Sequence, residues 1–93
     1  MHKLSSDVEF DPAKARANLL KHRVSFAHAE QALRDPFAVT IDDPDVEGEY
    51  RFVTLGMDAS GRILVVIHTP RGDRTRLISA RRATRREAEK YHA

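Results

Sequence analysis

The 93-residue chain has no cysteine. Disulfides, thiolate nucleophiles and thiolate metal ligands are therefore excluded, and the composition suits a reducing, cytoplasmic setting. No apolar run approaches the roughly 18 residues that span a membrane. The opening MHKLSSD lacks the apolar segment of a signal peptide and reads as a flexible tail over residues 1–7. Among the five histidines, no His-x-x-x-His or comparable helical pairing with a carboxylate occurs, so neither a metal site nor a cofactor is expected. There is no glycine-rich phosphate loop and no Gly-x-Ser-x-Gly elbow. Aromatic residues make up only 6%, too few to suggest a stacking platform for single-stranded nucleic acid.

What is present is charge, and it is segregated. Apolar residues at 41% and charged residues at 32% place residues 8–93 in the range of one small globular domain with a modest core. From Arg71 onward eight Lys/Arg stand against three Asp/Glu, a net of +5, whereas residues 1–70 carry a net of −3. Five acids and no base fall in DDPDVEGE, residues 42–49. A molecule polarised in this way offers a basic end to a polyanion.

The periodicity changes near Phe37. Before it, a short strand at Val8–Phe10 leads to Asp11 and Pro12, an N-cap followed by proline at the first helical position. The helix PAKARANLLKH has an apolar stripe of Ala13, Ala17 and Leu20, the side expected to pack, and a polar stripe of Lys14, Asn18 and Lys21. Ser25 caps a second helix, FAHAEQALRD, with Phe26, Ala29 and Leu33 on one face and Pro36 beyond its end. Neither helix has a basic recognition face of the kind that reads DNA. After Phe37 come FAVTI, the acidic loop, YRFVTLGM, RILVVIHT and RTRLISAR. The short turns DASG and PRGD imply an antiparallel meander, and RILVVIHT, almost wholly apolar, reads as a central strand buried on both faces. Thr84 and Glu87 form a capping box that opens a last helix. The expected fold is α+β, in the order β-α-α-β-β-β-β-α, with a curved antiparallel sheet packed by helices.

Arg81, Arg82, Arg85 and Arg86 cluster where that last helix begins. Cations there oppose the helix dipole, so the cluster together with the free N–H groups of the helix start reads as an anion site. RNA cleavage by 2′-hydroxyl attack needs a proton acceptor, a stabiliser of charge on the phosphorane and a proton donor. Arginine suits the second task. Lys21, His22, His68 or Tyr91 can serve the proton transfers. Each also has a plainer explanation: dipole complementarity at a helix end for Lys21 and His22, a buried strand position for His68, packing for Tyr91, and solvated strand positions for Arg74 and Arg76.

Three blocks in order, VEFDPAKARANLLKHRVSFAHAEQAL, EYRFVTLGMDASGRILVVIHT and RLISARRATRREAEKY, resemble the BrnT family, the ribonuclease half of BrnT–BrnA toxin–antitoxin modules. The resemblance runs from Val8 to Tyr91. It departs at Arg23, where glycine often follows Lys-His, and at Leu77, where isoleucine is common. It implies a RelE-like fold and a metal-independent endoribonuclease that halts translation. It also implies a ribbon-helix-helix antitoxin of the BrnA kind, joined in a heterotetramer through an antitoxin dimer that binds operator DNA. On the family's pattern Lys21, His22, Arg51, Arg81, Arg82 and Tyr91 carry over as functional residues, with Lys21, His22, Arg51, Arg81 and Tyr91 the catalytic candidates. The residue pattern itself makes Arg76, Arg82, Arg85 and Arg86 the RNA-binding candidates and His68 a further possibility. The rival readings are a non-catalytic nucleic-acid-binding module and an antitoxin-docking subunit that acts in autorepression.

Overall fold

A computed structural model describes residues 2–5, 7–43 and 50–93, the side chains of 2–5 excepted; most of the acidic loop, residues 44–49, lies outside the described residues. The elements are β1 (His2–Ser5), β2 (Val8–Phe10), α1 (Pro12–His22), α2 (Phe26–Leu33), β3 (Val39–Asp42), β4 (Phe52–Met57), β5 (Ile63–Arg71), β6 (Arg74–Arg82) and α3 (Arg85–His92). The expected order stands, with one strand added in front.

The six strands form one sheet in the order β1-β2-β6-β5-β4-β3. From β3 to β6 the chain is an antiparallel meander, as the two short turns require. Two features differ from the sequence reading. Strand β2 joins β6 in parallel through Val8↔Thr75 and Glu9↔Arg76, so the sheet is mixed. Parallel neighbours need a long connection, and here everything from α1 to β5 supplies it. Residues 2–5, read as a tail, pair antiparallel with β2 (His2↔Phe10, Lys3↔Glu9). The open edge of β2 accepts them through backbone groups, a pairing to which side-chain patterns are nearly blind.

The core lies between one sheet face and the helices α1 and α2. Val8, Phe10, Val24, Phe26, Ala29, Ala32, Leu64, Val66, Leu77 and Ala80 make a single buried cluster. Leu64 and Leu77, at 0% and 1% exposure, each contribute roughly 1.5–3 kcal/mol by burial. Gly56 lies under α2, where an added Cβ would come within 2.1 Å of the Ala32 carbonyl oxygen. That close approach explains the glycine that ends the Arg51–Gly56 block. Helix α3 packs on the opposite face, near β4. Strand β5 is central, with Leu64, Val65 and Val66 all buried, as its unbroken apolar run implies.

Helix α1 begins as expected, with the Asp11 side chain accepting the Ala13 N–H at 2.9 Å. Its roll is the reverse of the one expected. Ala13, Ala17 and Leu20 are exposed, and Asn18 is buried. The Asn18 amide donates to the carbonyls of Ala80 (2.8 Å) and Val24 (2.9 Å), and its oxygen accepts the Ala80 N–H at 3.0 Å. Near Ala80 the outer edge of β6 has run past its pairing with β2. Satisfying that backbone outweighs burying two alanines and a leucine, because unpaired buried N–H and C=O groups are costly. No helix among the described residues is long and apolar enough to cross a membrane.

Candidate functional site

The hairpin of β5 and β6 has a tip at Gly72 and a base where β5 begins and β6 ends. The base gathers cations from several elements. Lys21 and His22 follow Asn18 by three and four positions, so they share its flank of α1, one turn nearer the base. Lys21 is exposed and His22 half-buried. Arg23 then ends the helix at φ 59°, in the left-handed region that favours glycine, and the Arg62 guanidinium donates to its carbonyl at 3.2 Å. Arg82 stands opposite Leu64, so its exposed side chain leaves the sheet on the face that carries α1 and α2.

A second polar group at this end was not singled out in the sequence. Asp58, buried after β4, accepts the backbone N–H groups of Ser60 (3.0 Å) and Arg62 (2.9 Å) on Oδ1. Its Oδ2 takes the Arg62 Nε–H at 2.8 Å and meets His28 Nδ1 at 2.9 Å. Burial alone would raise this carboxyl, but the hydrogen bonds from His28 and Arg62 outweigh it and bring it to about 2. An ionised Asp58 requires the proton on His28 Nδ1, which leaves Nε2 for proton exchange on a side chain one-third exposed. This is the carboxylate-oriented imidazole used in general acid–base chemistry. No spacing signal connects a helical His28 with a turn residue thirty positions later. The aspartate opening the DASG turn was the only local hint.

Arg81 has a different setting from its neighbour. It stands opposite Val65 and points to the face that carries α3. Both ends of its fork donate to the Glu87 carboxylate, at 2.8 Å each. Glu87 also accepts the Thr84 N–H at 2.8 Å, while its own N–H donates to the Thr84 hydroxyl at 3.2 Å, so the expected capping box is formed. The Arg81 fork, assisted by Thr84 and opposed by burial, holds the Glu87 carboxyl down at about 2. The expectation of an open anion site at the start of α3 is thereby corrected: a carboxylate of the chain itself occupies it. Arg81 reaches an external phosphate only by exchanging Glu87.

Tyr91 is likewise committed. Its hydroxyl donates to Asp35, which also accepts the N–H groups of Phe37 (3.0 Å) and Met57 (2.8 Å). These bonds lower the Asp35 carboxyl, and the carboxylate in turn raises the Tyr91 phenol. Tyr91 therefore ties α3 to the end of α2, with its hydroxyl proton engaged by Asp35. Arg85 and Arg86 are exposed on the first turn of α3, with Arg85 Nε 3.9 Å from Glu89.

The remaining candidates lie toward the hairpin tip. Arg76 stands opposite Thr69 and 3.7 Å from Glu9. Arg51 precedes β4 and borders a hollow with Asp42, Asp43 and Tyr50. His68 is on the other face, stacked on Phe52 at 5.7 Å and bonded through Nε2 to the Thr54 hydroxyl at 2.7 Å; burial lowers its pKa. From Leu64 to Thr69 is five residues of strand, about 17 Å. Arg51, His68 and Arg76 therefore stand a strand's length from the base of the hairpin, toward which Lys21 and His22 lie. Among the described residues no group of three or more His, Cys, Asp or Glu is placed to hold a metal ion.

The profile of the ribonuclease toxin BrnT of type II toxin–antitoxin systems matches residues 10–87. The chain belongs to the BrnT family. The crystal structure of the Brucella abortus ribonuclease toxin BrnT is similar, with a TM-score of 0.64 and 26% identity, covering 87% of this chain and 100% of that one. No curated protein matches the chain. The matched span takes in α1 through Glu87, and with them the base of the hairpin.

Proposed function

We propose that this BrnT-family chain cleaves RNA through attack of the 2′-hydroxyl, without a metal, at the base of the β5–β6 hairpin. The observation that supports the reading is the placement toward this end of the sheet of proton-transfer groups (Lys21 and His22 at the end of α1, and the Asp58-oriented His28) and of exposed cations that show no side-chain partner among the described residues, Arg82 above all. In the proposed division of labour, Lys21, His22 and His28 move protons and Arg82 faces the scissile phosphate. Arg81 holds Glu87 and the start of α3 in place. Arg85 and Arg86 attract the RNA backbone, and Arg51 and Arg76 at the tip steer it from a distance. The consequence in the cell is inhibition of translation, in the cytoplasm. A BrnA-like ribbon-helix-helix antitoxin neutralises the toxin in a heterotetramer that binds operator DNA.

The second reading, a docking subunit without catalysis, draws on the engagement of Arg81 and Tyr91 within the fold. One experiment separates the two. Purified chain is incubated with RNA in EDTA, alongside an RNA carrying a 2′-deoxy nucleotide at the cut position. Cleavage in EDTA to a 2′,3′-cyclic phosphate, blocked by the deoxy substitution, is the expected result. Binding without cleavage assigns the docking role. Cleavage that needs added magnesium, or survives the deoxy substitution, would falsify the mechanism.

A further inference from the structure

Helix α1 turns its apolar side outward. Leu20 is 81% and Leu19 48% exposed, Ala13 and Ala17 are exposed beside them, and Leu19, Leu20 and Arg23 border an open hollow. Arg16 precedes Leu20 by one turn and Arg23 follows it by three residues, so these cations bracket the leucine along one stripe. From Pro12 to Arg23 the chain holds Lys14, Arg16, Lys21 and Arg23 and no carboxylate. An exposed leucine pair framed by cations of one sign is the complement of an amphipathic segment rich in acids.

We propose that this face of α1 seats an acidic amphipathic helix of the neutralising antitoxin, its apolar side chains on Leu19 and Leu20 and its carboxylates toward Arg16 and Arg23. The proposal rests on the toxin–antitoxin reading above. Charge complementarity selects this occupant. A second copy of the chain would bring the same four cations against themselves, and RNA would satisfy the cations but leave the leucines in water. Lys21 and His22 stand on the adjoining flank of the same last turn. A helix seated on α1 therefore covers the way into the base of the hairpin, and inhibition follows from occupancy alone.

The test uses the full chain and the protein encoded by the adjoining reading frame, with binding followed by titration and complex size by chromatography. Leu19→Asp/Leu20→Asp is expected to weaken the complex by roughly tenfold or more, as for a buried anchor. Arg16→Glu is expected to weaken it about threefold, more at low salt. Ile41→Asp, on the exposed edge strand β3, is expected to change nothing. Cleavage of free RNA by the leucine variant should stay at the wild-type rate. If the leucine variant melts normally and binds like the wild type, the surface is wrong while the antitoxin reading stands. If wild-type chain cuts RNA but binds no such protein, the reading falls and the surface with it. A wild-type dimer dispersed by the leucine substitutions assigns the face to a second copy, and a parallel loss of RNA affinity assigns it to RNA; either result overturns the proposal. Should the double variant melt early, Leu20→Ser alone carries the same test.

Discussion

The tip and the base of the β5–β6 hairpin are both rich in arginine, yet they put it to different use. Toward the tip, Arg76 lies beside Glu9, Arg51 borders Asp42 and Asp43 at the end of β3, and a half-buried His68 is held by Thr54. At the base, one arginine of an adjacent pair is locked to Glu87 and the other stands exposed on the opposite face, the one that carries α1 and α2. Number of cations therefore does not mark a site. The proposed site rests instead on cations that show no partner among the described residues, on the same side as groups that can exchange protons.

The comparison can be broken most decisively by paired substitutions. Lys21→Ala/His22→Ala should leave the melting temperature nearly unchanged and lower single-turnover cleavage by about 10²–10⁴-fold. Arg51→Ala/Arg76→Ala, at the tip, should cost less than about tenfold. Equal losses at the two ends would merge them into one site. Asn18→Leu should have the largest effect on stability, about 3 kcal/mol by denaturant unfolding, because it strands the Ala80 carbonyl and N–H at the β6 edge and the Val24 carbonyl after α1. An unaffected midpoint would mean that α1 is held mainly by other contacts. His28→Gln sharpens the picture at the base: a drop of roughly ten- to a hundredfold in rate, with a changed pH profile but unchanged RNA affinity, would place its Nε2 in proton transfer. A pH profile identical to the wild type's would leave His28 as an anchor for Asp58.

Acid should also separate structure from catalysis. Asp58 and Glu87 both have folded-state values near 2, below their ordinary ones of 3.8 and 4.5. Their contribution is present above about pH 4.5 and is lost as the pH falls toward 2, since the unfolded chain binds their protons more readily. The melting temperature should fall steadily over that window, and Glu87→Gln should flatten the fall. An unchanged slope would show that the Arg81–Glu87 pair adds nothing to stability. The smallest expected effect is at Arg23. Because its φ of 59° suits glycine, Arg23→Gly should stabilise the fold by about 0.5–1 kcal/mol, read as a small rise in melting temperature.

Local features were legible in the sequence where the physics is local. The Asp11–Pro12 start of α1, the Ser25 cap, the Thr84–Glu87 capping box and the buried run in β5 all appear where their residue types put them. Arg23 was visible as a departure from glycine, and its left-handed backbone gives the reason. The roll of α1 was misread because an amphipathic stripe is a rule about side chains, and here an unpaired strand edge outbid it. The parallel placement of β2 and the pairing of β1 were hidden for a related reason: backbone hydrogen bonds between distant segments leave little trace in residue type.

For the candidate site the division is sharper. The sequence by itself determined the chemistry available: no thiol, a basic C-terminal third, and a Lys-His pair at a helix end. It also determined the family, through three blocks that keep their order. Which of those groups meet was decided by tertiary structure alone. Strand alternation sent Arg81 and Arg82 to opposite faces, and Glu87 claimed one of them. Strand length kept Arg51, His68 and Arg76 away from Lys21 and His22. A turn thirty residues beyond His28 brought it an orienting carboxylate. Proton transfer and charge stabilisation depend on distances of a few ångströms, and such distances between residues far apart in the chain are set by register and packing.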